Sequence, residues 1–487
     1  MKSYQKIVKV VTATIFILFS TSNWCCKKFI EVEAPSTSIN QENVFTNDSY
    51  AISAITGIYA KMSTTGISLK LSVYPELSAD NLSLFDLNNT DAILFYQNQL
   101  NSSSGVTFWA DLYAYIYSTN AAIEGLSKAT ALTGNVQKRL LGEAYFLRGF
   151  FYFYLANFYN NVPLVLTTDY SKSSSLGVSS SDAIYAQIVQ DLTESKKLLD
   201  NSFLDGTLLK TTVERVRPNA MSATALLARV YLYTKNYPKA EEEATTLIDH
   251  NELFTLTDIN NVFIKNSNET IWSLQAVGDY YNTAEGYFFN YSDAGPDPFS
   301  YTYLPDDLID QFEKGDLRKD FWINTFQKQN ISYPHPYKYK VKEGDAASAT
   351  EYSIVFRLAE QYLIRAEARI RQGNILGGID DLNKIRKRAR AQITPDMPNP
   401  LPDVISTISE ETAIDAVLRE RRTELFAEWG NRWFDLRRTG KIDDVMTLAL
   451  PLKRQGGVWK NYMALYPIPQ NEINQSPGLK GKQNPGY

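Results

Sequence analysis

The sequence predicts a mostly all-α fold: tetratricopeptide-type helical hairpins, interrupted by an irregular insertion that holds short strands and loops. Three observations predict it. First, "ATALLARVYLYTKNYPKAEEEATTLID" (Ala223 to Asp249) sets Leu227, Ala228, Tyr231, Tyr237, Ala240, Ala244 and Leu247 at the spacing of a tetratricopeptide repeat. Second, "AEQYLIRAEARIRQGNILGGIDDLNKIRKRA" (Ala359 to Ala389) puts Ala366, Gly378, Leu382 and Ile385 at the offsets of Ala228, Ala240, Ala244 and Leu247, with the turn "QGN" where "KNY" stood. Third, the helical rhythm stops between them, over about residues 266–349. Ala228 and Ala240 are the small residues at which two antiparallel helices touch, while Tyr231 and Tyr237 wedge the open side. The scaffold is expected over about 45–265 and 350–450.

The chain begins with Lys2, Lys6 and Lys9, then "VVTATIFILF" (Val10 to Phe19), an apolar run too short to span a bilayer and of the length of a secretory h-region. Cys25 and Cys26 follow, the only 2 cysteines in 487 residues. Adjacent cysteines rarely bridge, so no disulfide framework is expected. A Cys just behind an h-region resembles a bacterial lipoprotein signal. Cys26 is the better acceptor, because small Cys25 then precedes the cut; acylation at Cys25 would place Trp24 there. Asn23 stands where an aliphatic residue is usual. Residues 1–25 are therefore read as a signal peptide, 26–487 as one mature domain, and Cys26 as the lipidated residue. Two or more acyl chains would give stable anchoring. A polar tether containing Pro35 runs from Glu31 to about Asn40.

Helical pattern starts near Asn47, with Asp48 or Ser49 as N-cap and Ile52, Ile55, Ile58 and Tyr59 on one face. Phe108 to Ala129 and Gln137 to Val165 read as further helices, the second mixing small Ala144, Gly149 and Ala156 with large aromatics. Beyond a Pro-rich loop at Pro395 to Pro402, Ala413 to Met446 forms another helical region. Its Arg419, Glu420, Arg421, Arg422, Glu424, Glu428, Arg432, Asp435, Arg437 and Arg438 alternate in sign as on a salt-bridged solvated face, and Trp429 and Trp433 share a side.

Inside the insertion, "ETIWSLQAV" (Glu269 to Val277) and "YPHPYKYKVKEG" (Tyr333 to Gly344) suggest short strands. Between them lies "GDYYNTAEGYFFNYSDAGPDPFSYTY" (Gly278 to Tyr303), with nine aromatic residues, no Lys or Arg, and no period. Gly295, Pro296 and Pro298 bar a regular helix through its middle. Sugars pack their C–H faces on aromatic rings while their hydroxyls need polar partners. Tyr280, Tyr281, Tyr287, Phe288 and Tyr291, interleaved with Asp279, Asn282, Asn290 and Asp293, offer both.

Six segments together resemble the SusD/RagB family of Bacteroidetes outer-membrane lipoproteins: "CKKFIEV", "EAYFLRGFFYFYLANFYNNVPLV", "RPNAMSATALLARVYLYTKNYPKAEEEA", "FRLAEQYLIRAEARIRQGN", "RERRTELFAEWGNRWFDLRRTG" and the tail "YPIPQNEINQSPGLKGKQNPGY". They span nearly the whole chain in the family's order. The resemblance implies a cell-surface, lipid-anchored protein that captures a glycan and passes it to a SusC-like TonB-dependent transporter. It also implies that the aromatic arc is faced by an N-terminal loop, here Glu76 to Gln97, with Asp80, Asn81, Phe85 and Tyr96. Family members that bind starch use Trp in the arc, and this loop has none. Peptide-binding relatives exist, so a peptide is the alternative ligand; a tetratricopeptide scaffold that binds only protein is another.

Nothing marks an enzyme or a cofactor site. Nucleophile elbow, P-loop, HExxH and paired CxxC motifs are absent. His250 ends a helix, where it suits the dipole, and His335 sits between prolines, neither beside a candidate nucleophile. With 44% hydrophobic residues, net charge −5 and no basic block, the composition gives no sign of nucleic-acid binding.

Overall fold

The computed structural model describes residues 44–85, 88–103, 108–278 and 280–487. The expected signal peptide, Cys26, the expected tether and Asp279 lie outside the described residues. The first part of the scaffold holds α1 (Asp48–Thr64), α2 (Ile67–Ser78), β1 (Ser83–Leu84), α3 (Thr90–Tyr96), α4 (Phe108–Lys128), α5 (Gly134–Tyr159), α6 (Tyr170–Ser173), α7 (Ser181–Leu198), α8 (Ala220–Tyr233) and α9 (Tyr237–Asp249). The insertion holds β2 (Thr270–Leu274), α10 (Ala284–Phe289), β3 (Thr302–Tyr303), α11 (Asp306–Ile309), α12 (Leu317–Phe321), β4 (Ile323–Lys328), β5 (Ile331–Pro336) and β6 (Ser353–Arg357). Then come α13 (Leu358–Arg371), α14 (Ile375–Ala389), α15 (Glu410–Glu424), α16 (Asn431–Arg438), α17 (Ile442–Ala449) and α18 (Gln470–Gln475).

Helices α4, α5, α7, α8, α9, α13 and α14 each pack on the next, so the two hairpins that the insertion separates in sequence are neighbours in space. Their shared offsets have a physical cause. A Cβ at Gly378 would stand 2.6 Å from the Ala366 carbonyl oxygen, so the helices of the second hairpin touch there. Both turns use a left-handed residue at the same offset, Lys235 at φ 59° and Gly373 at φ 85°. Asn236 and Asn374 then cap α9 and α14 by accepting from the N–H groups of Lys239 and Gly377. Buried Arg229 of α8 grips Glu360 of α13 at 2.7 and 2.6 Å, locking one hairpin to the other.

Several boundaries differ from expectation. Asn47 caps α1, accepting from Tyr50 N–H at 3.0 Å, while Asp48 accepts from Thr133 N–H instead. The expected strand at Glu269 to Val277 is β2, and its partner is β6, whose five residues are all buried and so show no alternation. The other expected strand lies earlier, as β5, paired with the exposed β4 in a hairpin. Past Pro336 the chain turns inward, burying Lys338 and Tyr339. The aromatic segment contains a short helix, α10, capped by Thr283, ahead of the Gly295 and proline stretch.

The largest correction concerns the C-terminal helical region. It breaks between α15 and α16, with Ala427, Trp429 and Gly430 at φ 54°, 50° and 73°. Trp429 and Trp433 are both buried but do not share one helix face. Nor are the charges on a solvated face: Glu420, Arg421, Arg422, Glu424, Glu428, Asp435 and Arg438 are paired in the interior or at its edge. Glu424, with a fully buried side chain, accepts from Arg318 (2.9 Å), Arg357 and Arg388. Arg357 also donates to Glu428 (2.8 Å) and Glu269 (3.1 Å), and the Lys338 ammonium donates to the Glu424 and Phe426 carbonyl oxygens at 2.8 Å.

Burial alone would raise the Glu424 carboxyl; the Arg388, Arg357 and Arg318 guanidiniums outweigh it and hold the group well below the usual carboxylate range. Its folded pKa is thus depressed, so its contribution is present above the ordinary value near 4.5 and is lost as pH falls below that. Arg357→Met leaves buried carboxylates short of a partner and should cost about 3–5 kcal/mol, read as a lowered urea midpoint. An unchanged midpoint at pH 7 would show that the cluster does not hold the fold.

Candidate functional site

The N-terminal loop and the aromatic segment meet through β1 and β3, antiparallel with Ser83 opposite Tyr303 and Leu84 opposite Thr302. Phe85 N–H extends the pairing to the Tyr301 carbonyl at 2.8 Å. The β4–β5 hairpin closes on both, tied by Leu304 N–H to the Pro334 carbonyl at 2.7 Å. Phe326 stands opposite Tyr333, and Asn324 opposite His335, so Phe326, Tyr333 and His335 share a face. That face covers the two loops. Tyr333 meets Phe85 at 4.9 Å between centroids and Tyr303 at 5.5 Å. Tyr291 meets Phe326 at 6.1 Å and His335 at 4.2 Å. Gly295 must be glycine here: its φ is 90°, and a Cβ would stand 2.3 Å from the Phe326 ring. The result is an arc of half-buried rings, Phe85, Tyr303, Tyr333, Tyr291 and Phe326, drawn from three separate segments.

On the other side of β1 a cavity of about 350 Å³ opens, lined by Asp80, Ser83, Tyr96, Arg422, Arg432 and Lys453 with an apolar rim that includes exposed Leu448 and Leu452. Ser83 lines this cavity and pairs with Tyr303, so cavity and arc share β1 as a wall. Burial pushes the Lys453 ammonium down to about 7, with Asp80 partly offsetting it.

The residues expected to bind ligand therefore divide. Phe85 joins the arc, as does Tyr291, whose hydroxyl donates to the Thr302 carbonyl. Burial raises the Tyr291 phenol well above its ordinary value, so it stays neutral. Tyr281 and Tyr287 form a separate half-buried pair at 5.5 Å, and Tyr280 is 78% exposed. Phe288 is corrected: it is buried against Phe289 and Tyr301, because α10 turns it inward, and it offers no face to a ligand. Asn81 is also corrected. It is buried, donating to Glu76 at 2.7 Å and accepting from Arg422 at 2.9 Å. Asp80 lines the cavity, but its carboxylate is taken up by Arg432 at 2.7 Å to both oxygens and by Arg422. Tyr96 lines the cavity too, its hydroxyl accepting from Arg454 N–H at 3.1 Å. Asn282 and Asn290, expected at a polar rim, are buried and bond to Thr350 and the Tyr339 carbonyl.

Sequence reasoning missed Phe326, Tyr303 and Tyr333 as arc members and Lys328 and Lys453 beside them. The alternation around Tyr333 was visible; the facing strand Ile323–Lys328 carried no comparable signal. His250 closes α9 with its Nδ1 2.6 Å from the Thr246 carbonyl, and burial lowers His335 to about 4, so it is neutral at physiological pH. Among the described residues, no cluster of His, Cys, Asp and Glu is arranged to hold a metal ion, and no helix is long and apolar enough to cross a membrane.

Helical hairpins with a looped-out insertion bearing an aromatic arc define the fold class, and comparison places it among known families. Residues 321–487 match the SusD family, and residues 28–232 match the family described as starch-binding associating with outer membrane. By these two matches, which together take in most of the chain, it is similar to the SusD/RagB family. It is 25% identical to SusD-like protein P38 of Formosa agariphila, over 94% of this chain and 96% of that one. Among solved structures it is similar to surface glycan-binding protein A from Bacteroides uniformis, with TM-score 0.74 at 21% identity, covering 90% of this chain and 99% of that one. A laminarin binding SusD-like protein gives TM-score 0.70 at 21% identity, over 91% and 100% of the two chains. These likenesses establish the fold as mostly helical with small strand insertions.

The two kinds of aromatic residue can be told apart by stability. Phe288→Ala should cost about 3–5 kcal/mol, as for a buried ring, whereas Tyr280→Ala should stay within roughly 0.5 kcal/mol of wild type. Thermal melts of both variants check this; equal melting temperatures would contradict the division.

Proposed function

We propose that this protein is a cell-surface nutrient-binding lipoprotein that holds a glycan on the arc of Phe85, Tyr303, Tyr333, Tyr291 and Phe326. The observation that carries this is the arc itself: rings from three segments, left only half-buried where the hairpin packs its inner face against the two loops. Half-exposed rings beside backbone and phenolic polar groups suit the C–H faces and hydroxyls of sugars. The family description, starch-binding, and the glycan-binding names of two structural neighbours support the same ligand class. The arc contains Tyr and Phe but no Trp, which argues for a glycan other than starch. The protein binds and hands on its ligand without chemistry, delivering it to a SusC-like TonB-dependent transporter. It reaches the outer membrane surface through lipid on Cys26.

Each part has its own test. Tyr333→Ala should weaken binding roughly tenfold to hundredfold, by analogy with the loss of a stacked base, for whichever glycan the wild type retains in an affinity-gel panel. The outer ring variant Tyr280→Ala should bind as wild type does. Full binding by Tyr333→Ala would move the site off the arc. Cys26→Ala should abolish acyl labelling and release the protein from membranes; labelling that persists would assign the anchor elsewhere.

A further inference from the structure

We propose that the glycan is anionic, carrying carboxylate or sulfate groups, and that Lys328 and Lys453 recognise those groups. This rests on reading the arc as a glycan site. The N-terminal loop contributes two rings to the region, Phe85 and Tyr96, and a lysine ammonium lies over each. Lys328 Nζ is 5.2 Å from the Phe85 centroid, and Lys453 Nζ is 5.1 Å from that of Tyr96. Among the described residues neither lysine forms an ion pair. Of the other lysines over rings in and beside the insertion, Lys338 and Lys265 have carboxylate partners, whereas Lys340 and Lys342, like Lys453, are held by backbone carbonyls without an ion pair. Lys338 holds Glu428 and two carbonyls, Lys265 holds Glu214, and Lys342 donates to the Tyr287 and Asn290 carbonyls at 3.0 and 2.6 Å. Lys328 and Lys453 are thus lysines without a counter-ion that border the candidate site.

Their donors are available as well. Lys453 gives two N–H groups to the Leu77 and Ser78 carbonyls, at 2.6 and 3.2 Å, and an ammonium has a third. Around the cavity Arg422 and Arg432 are matched by Asp80 and Asp307, which leaves the Lys453 charge in excess. At the other end Lys328 is exposed on the β4–β5 hairpin, free to swing from the Phe85 face onto a ligand. The whole chain carries net charge −5, which opposes an anionic ligand at long range. At physiological salt, however, charges beyond about 8 Å are largely screened, so the ammoniums in contact decide. A cation over a ring is an exchangeable arrangement of about 0.5–1 kcal/mol at exposed sites, weaker than a charge-assisted bond to a carboxylate or sulfate.

The full-length mature protein, tested in affinity gels and by calorimetry, separates the outcomes. The probes are polygalacturonate for carboxylate, a sulfated galactan for sulfate ester, and neutral laminarin and starch. At least one anionic polymer should bind about tenfold or more tighter than either neutral one, with affinity falling as NaCl is added. Lys328→Gln should lose roughly tenfold and Lys328→Arg should retain binding. Lys328 is exposed, so neither change should alter the melting temperature; Lys453→Gln is the second variant, read against its own melt. A second readout is pH. Asp80, Asp307, Arg422, Arg432 and Tyr96 face Lys453, and of the cavity groups Lys453 is the one brought to about 7, so anion binding should strengthen as pH falls from 8 to 6. Neutral glycans binding as tightly as anionic ones, with both lysine variants unaffected, would overturn the anionic assignment and leave the arc standing as a glycan site. Retention of none of the four polymers would bring down the arc reading and this assignment with it.

Discussion

The grip of Arg357, Arg318 and Arg388 on one buried carboxylate, Glu424, is the constraint on which the rest of the structure depends. The four groups come from four places: the end of β6, α12, α14 and the last turn of α15. Two of these are insertion and two are scaffold. Each charge is costly to bury alone, and each is tolerable only because the others are present. The cluster therefore acts as a logical condition: the insertion cannot leave the scaffold without stranding charges in an apolar interior. Glu269 and Glu428 widen the same network, so that both edges of the β2–β6 pair and the break after α15 answer to it.

The break after α15 shows what such a condition can enforce. Ala427 and Trp429 take left-handed backbone conformations that non-glycine residues avoid, at a cost of order 1–3 kcal/mol each. They are held there from all sides. Trp429 donates through its indole to the Ile354 carbonyl at 2.7 Å and through its backbone N–H to Ser72 at 3.1 Å. Lys338 clamps the carbonyls of Glu424 and Phe426. The tight bend turns Arg422 and Arg432, ten residues apart in sequence, toward one carboxylate, Asp80. Asp80 stands at the root of the N-terminal loop, three residues before β1. The hub thus fixes the loop that carries Phe85, and through β1 and β3 it fixes the arc.

This ordering explains which parts were legible in the sequence. The hairpins were, because close helix contact demands a small residue at a set offset, and Ala366 with Gly378 repeats Ala228 with Ala240 however much sequence intervenes. The break at Ala427 was not. Gly430 is a local breaker, but Ala427 and Glu428 favour helix, and what overrides them is a set of contacts to Ser72, Lys338 and Ile354, all remote in the chain. The charged motif was visible but its surroundings were inverted: alternating signs read the same on a wet face and in a paired interior, because pairing needs partners that only the fold supplies. The strand β6 was silent for a related reason, being buried on both faces and so lacking alternation.

The aromatic segment sits at the limit of such reading. Its density of rings suggested contact with a ligand, yet that density serves two ends. An insertion without periodic structure has to build a core of its own, and Phe288, Phe289 and Tyr301 are spent on that. Of the rest, Tyr280 and Phe299 are exposed and Tyr281 and Tyr287 pair apart, while the hairpin's register decides which rings join the half-buried arc. Composition could state that aromatics were abundant there; it could not divide them, because the division is made by two strand pairings, β1 with β3 and β4 with β5. Each pairing is short, and one residue of slip would turn every ring to the opposite face. The arc is therefore specified less by the residues that form it than by the register that presents them, which traces back through Asp80 and Arg422 to the buried charges.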